Sequence, residues 1–148
     1  MVVGPRILIV EDHLIFSEAL EFLLGHRLLE EHVEQAEFRR AATVAEGLDL
    51  VNDDGPFDMA ILDPILPDGN GVEVLGEIKA SHPRTRVAVL GPVPDLSGAL
   101  EAGADEAIGK ETPILEMISH LACLARGGDR TAAPHGIAGR RDFTVNRR

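Results

Sequence analysis

Short apolar runs recur along the chain, and a segment with helical spacing follows each of them. The clearest runs are RILIV (6–10), FDMAIL (57–62) and RVAVL (86–90), which are apolar almost throughout and rich in branched residues. Strands of this kind are buried on both faces, and such burial requires helices on both sides of a parallel sheet. The pattern therefore predicts an α/β fold with a doubly wound parallel sheet.

Weaker signals complete an alternation of five strands and five helices. The other predicted strands are 37–42 and 106–109, and the predicted helices are 14–25, 44–51 after the cap Thr43, 71–80, 95–102 and a last helix from Thr112-Pro113. Gly25 is the predicted end of the first helix. Residues 26–36 are charged, and they either extend that helix or form a loop.

The length and composition indicate one aliphatic globular domain. The chain has 148 residues, five Phe and neither Trp nor Tyr, and no apolar run reaches the roughly 20 residues of a membrane helix. Its start, MVVGPRILIV, is predicted to be the first strand and not a signal peptide. The single cysteine, Cys123, excludes an internal disulfide and is predicted to be a buried apolar residue in a reducing cytoplasm.

The charge is distributed unevenly along the chain. Residues 126–148 carry six Arg and two Asp, a formal charge of +4, which leaves −15 for residues 1–125 out of −11 in total. The acidic part argues against nucleic acid as a partner of this domain. We therefore predict one folded domain over 1–125 and a basic linker or disordered tail over 126–148.

Charged residues stand where three of the predicted strands end. Glu11 and Asp12 follow the first strand, Asp63 follows the third, and Lys110 follows the fifth. In open α/β sheets the carboxyl ends of the strands form the binding edge. Three carboxylates at one edge repel each other unless a cation is present, and Mg²⁺ is the hard cation that prefers such ligands.

This arrangement also predicts a reaction. An aspartate such as Asp63 can act as a nucleophile that forms an aspartyl phosphate, while Mg²⁺ and Lys110 neutralise the charge of the transferring phosphoryl group. Each residue alone has a simpler explanation: a helix N-terminal charge, a turn residue, or a solvated lysine. Their occurrence together at three strand ends favours the functional interpretation.

The segments ILIVEDH, DMAILDPILPDGNGVEVLGEIK and ALEAGADEAIGKE together resemble the receiver domain of bacterial two-component response regulators, over roughly residues 5–125. The resemblance implies a flavodoxin-like (CheY-like) sheet with strand order 2-1-3-4-5. It also implies that Asp63 accepts a phosphoryl group from a histidine kinase or phosphotransfer protein. On the same pattern Glu11, Asp12, Asp63 and the backbone carbonyl of Ile65 hold Mg²⁺, and Lys110 contacts the phosphoryl group.

Three positions depart from the family pattern. Gly91 stands at the end of the fourth strand, where the family usually has Ser or Thr, and Pro92 follows it without the usual backbone N–H. Ala107 stands three positions before Lys110, where the family usually has an aromatic or other large residue. Pro64 is also unusual, because a residue with an N–H normally follows the phosphoacceptor. The first three changes predict an impaired or atypical response to phosphorylation.

Several functional alternatives stay open at this stage. The first is a signalling receiver, not an enzyme, with a homodimer formed through the face made by the fourth helix, fifth strand and fifth helix. The second is a pseudo-receiver that binds a ligand or protein without phosphorylation. A Mg²⁺-dependent phosphatase is disfavoured, because Ile65 stands where that class has a second aspartate. The phrases GADEAIGKE and LARGG also lean weakly toward regulators with a helix-turn-helix output domain.

Overall fold

The computed structural model describes residues 3–127 and contains a five-stranded, wholly parallel sheet. We number its strands β1 (Arg6–Val10), β2 (Glu37–Ala41), β3 (Met59–Leu62), β4 (Arg86–Gly91) and β5 (Glu106–Gly109). Their order across the sheet is β2-β1-β3-β4-β5, which confirms the predicted doubly wound topology. In the loop after β3, residues 65–66 and 69–70 pair as a short antiparallel ribbon.

Five α-helices cover the two faces of the sheet. They are α1 (Leu14–Glu30), α2 (Val44–Asp54), α3 (Val72–Ser81), α4 (Leu96–Glu101) and α5 (Ile114–Ala125), and a 3₁₀ turn over Val93–Asp95 precedes α4. Alternate β1 residues face two cores: Ile7 packs with α1 and α5, while Leu8 packs with α2 and α3. This two-sided burial explains why the strands read as continuous apolar runs.

The first helix does not end at Gly25, because α1 continues to Glu30. This confirms, for residues 26–30, the alternative that the segment after Gly25 extends the helix. Leu20, Leu24 and Leu28 are all fully buried and recur at four-residue spacing, so the apolar face extends past the glycine. A Cβ at position 25 would lie 3.4 Å from Cε2 of Phe38, an ordinary contact with β2. Burial of Leu28 thus outweighs the modest cost of a glycine inside the helix.

Other boundaries differ from the sequence predictions by a few residues. β3 begins at Met59 and not at residue 57, and β4 includes Gly91. Thr43 caps α2 as predicted, since its side-chain oxygen accepts a hydrogen bond of 3.0 Å from the backbone N–H of Glu46. Cys123 is buried, as predicted for a small apolar residue.

The predicted basic tail lies almost wholly outside the described residues. Of 126–148, only Arg126 and Gly127 are described, and the Arg126 guanidinium pairs with the carboxylate of Glu31 at the end of α1. Within residues 3–127, none of the helices is long and apolar enough to cross a membrane.

Candidate functional site

The parallel register brings the ends of β1, β3 and β5 to one edge of the sheet. Val10 pairs with Leu62, so the residues after β1 and β3 are neighbours. The backbone N–H of Asp63 donates to Val10 O at 3.0 Å, and that of Lys110 donates to Gly91 O at 3.1 Å. The residues predicted at separate strand ends therefore meet at one site.

Lys110 joins two buried carboxylates at this edge. Its Nζ lies 2.8 Å from Oε1 of Glu11 and 2.8 Å from Oδ2 of Asp63. Glu11 is 6% exposed and Asp63 is 4% exposed. Because a buried charge without a partner is strongly unfavourable, the shared ammonium stabilises both carboxylates inside the fold.

The surroundings of Lys110 favour its charged form. Burial alone would lower the pKa of Lys110, but its hydrogen bonds and charge attraction to Asp63 and Glu11 outweigh burial and raise that pKa. The ammonium also lies 4.8 Å from the centroid of the Phe16 ring, within cation–π range. These contacts thus favour the charged form of Lys110 and fix its position from two sides.

An acidic cluster at the same edge suits a divalent cation. Ligating atoms of Glu11, Asp12, His13 and Asp63 all lie within 4.8 Å of one another. Three carboxylates and the Lys110 ammonium leave a formal charge of −2, which one divalent cation would neutralise. The carboxylate oxygens of Glu11, Asp12 and Asp63 are hard ligands, so this donor set fits the Mg²⁺ predicted from the sequence.

His13 belongs to this cluster although the sequence analysis gave it no role. Its Nδ1 lies 2.8 Å from Oε2 of Glu11 and 3.5 Å from Oδ1 of Asp12, and its backbone N–H donates to the same Glu11 oxygen at 3.0 Å. Glu11 therefore contacts Lys110 with one oxygen and His13 with the other. This pairing fixes the orientation of the Glu11 carboxylate.

The loop after β3 holds the second oxygen of Asp63. The backbone N–H of Ile65 donates to Asp63 Oδ1 at 2.9 Å, while the Ile65 side chain is exposed. The role of the Ile65 carbonyl as a metal ligand stays a prediction. The loop closes where Gly71 N–H donates to Pro64 O at 3.0 Å, and a Cβ at Gly71 would lie 2.1 Å from Asp63 O. Position 71 therefore has no room for a side chain.

Asp68 ties the far end of this loop to α2. Its Oδ1 accepts from Val44 N–H at 2.8 Å and its Oδ2 accepts from Ala45 N–H at 3.0 Å. These two backbone donors at the start of the helix hold the pKa of Asp68 below its ordinary value. The loop is thereby anchored to a helix as well as to β3.

The opposite side of the site has none of these charged contacts. Gly91 ends β4 and pairs with Gly109 on β5, Pro92 follows it, and Ala107 pairs with Val89 further down the sheet. A Cβ at Gly91 would lie 2.6 Å from Cγ and 2.8 Å from Cδ of Pro64. The structure thus places the Pro64 ring against Gly91, the position at which the resemblance implies that the family usually has a hydroxyl.

A model of the response regulator receiver domain matches residues 7–122. The chain belongs to this family. TcrA of Mycobacterium tuberculosis, a transcriptional regulatory protein, is 33% identical over 141 residues, which cover 92% of this chain and 52% of TcrA. The KDP operon transcriptional regulatory protein KdpE of Escherichia coli is 30% identical over 146 residues, or 95% of this chain and 60% of KdpE. The chain thus spans little more than half of these relatives.

Solved receiver structures share the fold. A response regulator from Burkholderia pseudomallei, solved with a phosphorylated aspartic acid, a calcium ion and citrate, has a TM-score of 0.67 at 20% identity, covering 84% of this chain and 70% of that one. A CheY-like receiver domain protein from Methanospirillum hungatei has a TM-score of 0.67 at 26% identity, covering 84% of this chain and 98% of that one. The CheY-like fold predicted from the sequence is confirmed.

Family membership gives the chain its general role. Receiver domains of response regulators act in two-component signal transduction, where histidine kinases or phosphotransfer proteins are their partners.

The residues that meet at the strand ends were predicted from the sequence, but His13, the cation–π contact of Phe16 and the anchoring role of Asp68 were not. A signal was present for His13, which directly follows the acidic pair. The sequence contains no signal for the contact between Pro64 and Gly91.

Proposed function

We propose that this receiver domain accepts a phosphoryl group on Asp63 from a histidine kinase or phosphotransfer protein, with Mg²⁺ as cofactor. Glu11, Asp12, Asp63 and the backbone carbonyl of Ile65 would hold the metal. The observation that supports the proposal is the buried Asp63 carboxylate, which is fixed by Lys110 Nζ at 2.8 Å and by the Ile65 N–H at 2.9 Å. Both contacts orient a nucleophile at the open carboxyl edge of the sheet.

The proposed transfer is a simple displacement. An Asp63 carboxylate oxygen forms the new P–O bond as the P–N bond of the donor's phosphohistidine breaks, and the electron pair of that bond returns to the histidine nitrogen. Mg²⁺, when bound, neutralises negative charge on the phosphoryl oxygens. Lys110 can move from the Asp63 oxygen to a phosphoryl oxygen while it keeps its contact with Glu11, so the transferred charge meets a cation already in place.

The response to phosphorylation is proposed to be atypical. A phosphoryl group can shift a two-state protein only through contacts that differ between the states. Gly91 offers no hydroxyl, Pro92 offers no N–H, and Ala107 offers no large side chain to change position. We therefore expect phosphorylation to be weak, or to act through a route other than β4 and β5.

The remaining proposals concern partners and context. The domain is proposed to act as a phosphoacceptor and not as an enzyme on a separate substrate, in the cytoplasm, without nucleic-acid contacts of its own. A homodimer through α4, β5 and α5 is part of the same proposal. Because TcrA and KdpE are named as transcriptional regulators, we propose a transcriptional output, with residues 1–125 as the receiver and 126–148 as a basic linker or tail.

The second candidate is a pseudo-receiver that binds a ligand or protein without phosphorylation. The observation that favours it is the fully apolar contact of Pro64 with Gly91, since this contact takes the place of the hydroxyl that would bind phosphate. On this alternative the charged side would serve to hold the fold and a metal, while binding of a partner would replace phosphorylation as the signal.

Intact-mass measurement separates the two candidates. The chain is incubated with Mg²⁺ and acetyl phosphate or phosphoramidate, beside Asp63→Asn and a control, Asp53→Asn, that removes an exposed carboxylate from α2. We expect one phosphoryl adduct on the unchanged chain and on the control, and none on Asp63→Asn. No adduct on the unchanged chain would contradict the phosphoacceptor role. An adduct with a large change in oligomeric state, measured by light scattering, would contradict the atypical response.

A further inference from the structure

The contact between Pro64 and Gly91 connects two positions that look unrelated in the sequence. Both residues are buried. Apart from Gly91 and its two chain neighbours, the only atoms of the described residues within 4 Å of where a Gly91 Cβ would stand are Cγ and Cδ of Pro64. Separations of 2.6 and 2.8 Å are shorter than carbon atoms tolerate. A side chain at position 91 would therefore overlap sterically with the Pro64 ring.

The backbone of Gly91 does not itself require glycine. Its φ lies outside the left-handed region, so a residue with a side chain could adopt the same conformation. This distinguishes Gly91 from Gly69, whose φ of +156° disfavours other residues. Position 91 therefore requires glycine because the Pro64 ring occupies the volume that a side chain would need.

Neither partner can easily move aside. Pro64 follows Asp63 directly, its carbonyl accepts the Gly71 N–H at 3.0 Å, and its ring has no free rotation. Gly91 is held in the sheet, where its carbonyl accepts the Lys110 N–H at 3.1 Å. The contact is therefore a fixed junction between the Asp63 loop and the end of β4.

We propose that the Pro64 ring fixes the end of β4 by direct packing on Gly91, in place of a hydroxyl side chain that would respond to phosphate. The two sequence departures are then one coupled structural change. Pro64 acts as a positioning residue, since the contact that carries the proposal is with Gly91 at the end of β4. The functional meaning of this contact rests on the proposed phosphoacceptor role, but the contact itself is independent of phosphorylation.

A double-mutant cycle tests the coupling in the full chain. Gly91→Ala alone forces a methyl group against the ring, so we expect its melting temperature to fall by roughly 5 °C or more. In the Pro64→Ala background the ring atoms are absent, so Gly91→Ala should lower the melting temperature by no more than about 2 °C. Gly76→Ala is the matched control, because an added Cβ at this position in α3 would meet nothing within 4 Å beyond the adjoining stretch of its own helix. It should raise the melting temperature by about 2–4 °C.

The outcomes decide the proposal in each direction. The proposal would be overturned if Gly91→Ala lowered the melting temperature equally in the two backgrounds, or did not lower it in the unchanged chain. If Gly91→Ala prevents folding, recovery of a folded chain by Pro64→Ala supports the coupling, and failure to recover it contradicts the coupling.

Hydrogen exchange gives a second and independent measurement. Removal of the ring should free the end of β4, so amides of residues 88–91 should exchange several-fold faster in Pro64→Ala than in the unchanged chain. Unchanged exchange there would count against the proposal. Neither measurement uses phosphate, so a missing phosphoryl adduct would refute the proposed function and leave this inference to be judged by itself.

Discussion

The two sides of the candidate site are held by different forces. On the charged side, which comprises Glu11, Asp12, Asp63 and Lys110, the contacts are hydrogen bonds and ion pairs that depend on metal, pH and ionic strength. On the apolar side, which comprises Pro64, Gly91, Pro92 and Ala107, the contact that the structure shows is steric. Steric packing does not depend on the charge of a ligand. One edge of this sheet therefore combines a ligand-sensitive side with a ligand-insensitive one.

We expect the largest loss of stability on the charged side when the Lys110 ammonium is removed. Lys110→Ala removes the ammonium that the buried Glu11 and Asp63 carboxylates share, which leaves them with their contacts to His13 and to the Ile65 N–H. We expect the free energy of unfolding in metal-free buffer to fall by about 2–3 kcal/mol, below the ~3–5 kcal/mol of a fully buried pair, because the Lys110 side chain is 27% exposed. Denaturant unfolding measures the loss.

The other lysine of the chain provides the control for this experiment. Lys79 lies 3.7 Å from Asp105 with both side chains partly exposed, so Lys79→Ala should cost less than about 1 kcal/mol. Added Mg²⁺ should recover part of the loss in Lys110→Ala, because a divalent cation also neutralises the two carboxylates. Equal losses for the two lysines would contradict the special role of Lys110.

Metal binding gives the next largest effect. At a Mg²⁺ concentration ten times its dissociation constant, the unchanged chain should gain about 1.4 kcal/mol in the free energy of unfolding. Asp12→Asn removes one carboxylate of the cluster without touching the Lys110 contacts, and it should lose most of this gain. Asp49→Asn, on the exposed face of α2, should keep it. A titration followed by thermal unfolding measures all three, and an equal gain in every variant would argue against a site at Asp12.

A smaller change separates charge from packing at Lys110. Phe16→Leu keeps an apolar side chain on α1 but removes the ring face 4.8 Å from the ammonium. We expect a loss of about 0.5–1 kcal/mol. In the Lys110→Met background the same substitution should cost clearly less, since no cation faces the ring. If Phe16→Leu costs the same in both backgrounds, Phe16 contributes by packing alone.

The smallest effect concerns the loop that joins the two sides. The pKa of Asp68 is lowered in the folded state, so its carboxylate stabilises the fold fully above the ordinary aspartate pKa of 3.8 and loses this contribution as pH falls through the lower folded pKa. The stability difference between the unchanged chain and Asp68→Ala should therefore shrink in acid. Asp49→Ala, which removes a carboxylate without these hydrogen bonds, is the control. Unfolding measured across the acid range tests the prediction, and a constant difference would contradict it.

The sequence predicted the charged side well because topology alone brings it together. Parallel strands place their carboxyl ends at one edge, so the residues that follow β1, β3 and β5 all lie at that edge. β1 and β3 are adjacent, and the long side chain of Lys110 reaches both carboxylates from beyond β4. The end of α1 was not predictable in the same way, because local preference at Gly25 was overridden by burial of Leu28 in the core.

The contact on the apolar side could not be predicted from the sequence in the same way. Pro64 and Gly91 were each recognised as departures, but no sequence period relates a residue in the loop after β3 to a residue at the end of β4. Their contact depends on the separation of β3 and β4 and on the direction of the proline ring. His13 and Phe16 were missed for a related reason, since their contacts depend on where α1 begins and how its first turn is oriented.

The junction of Pro64 with Gly91 also determines the order in which the chain can change. A serine or threonine at position 91 would meet the Pro64 ring, so we expect a hydroxyl there to be tolerated better after Pro64 has been replaced. A saturation scan of the unchanged chain would score position 91 as intolerant, and the same scan on a Pro64→Ala background would not. An engineer who wants a phosphate-responsive version of this domain should begin at residue 64.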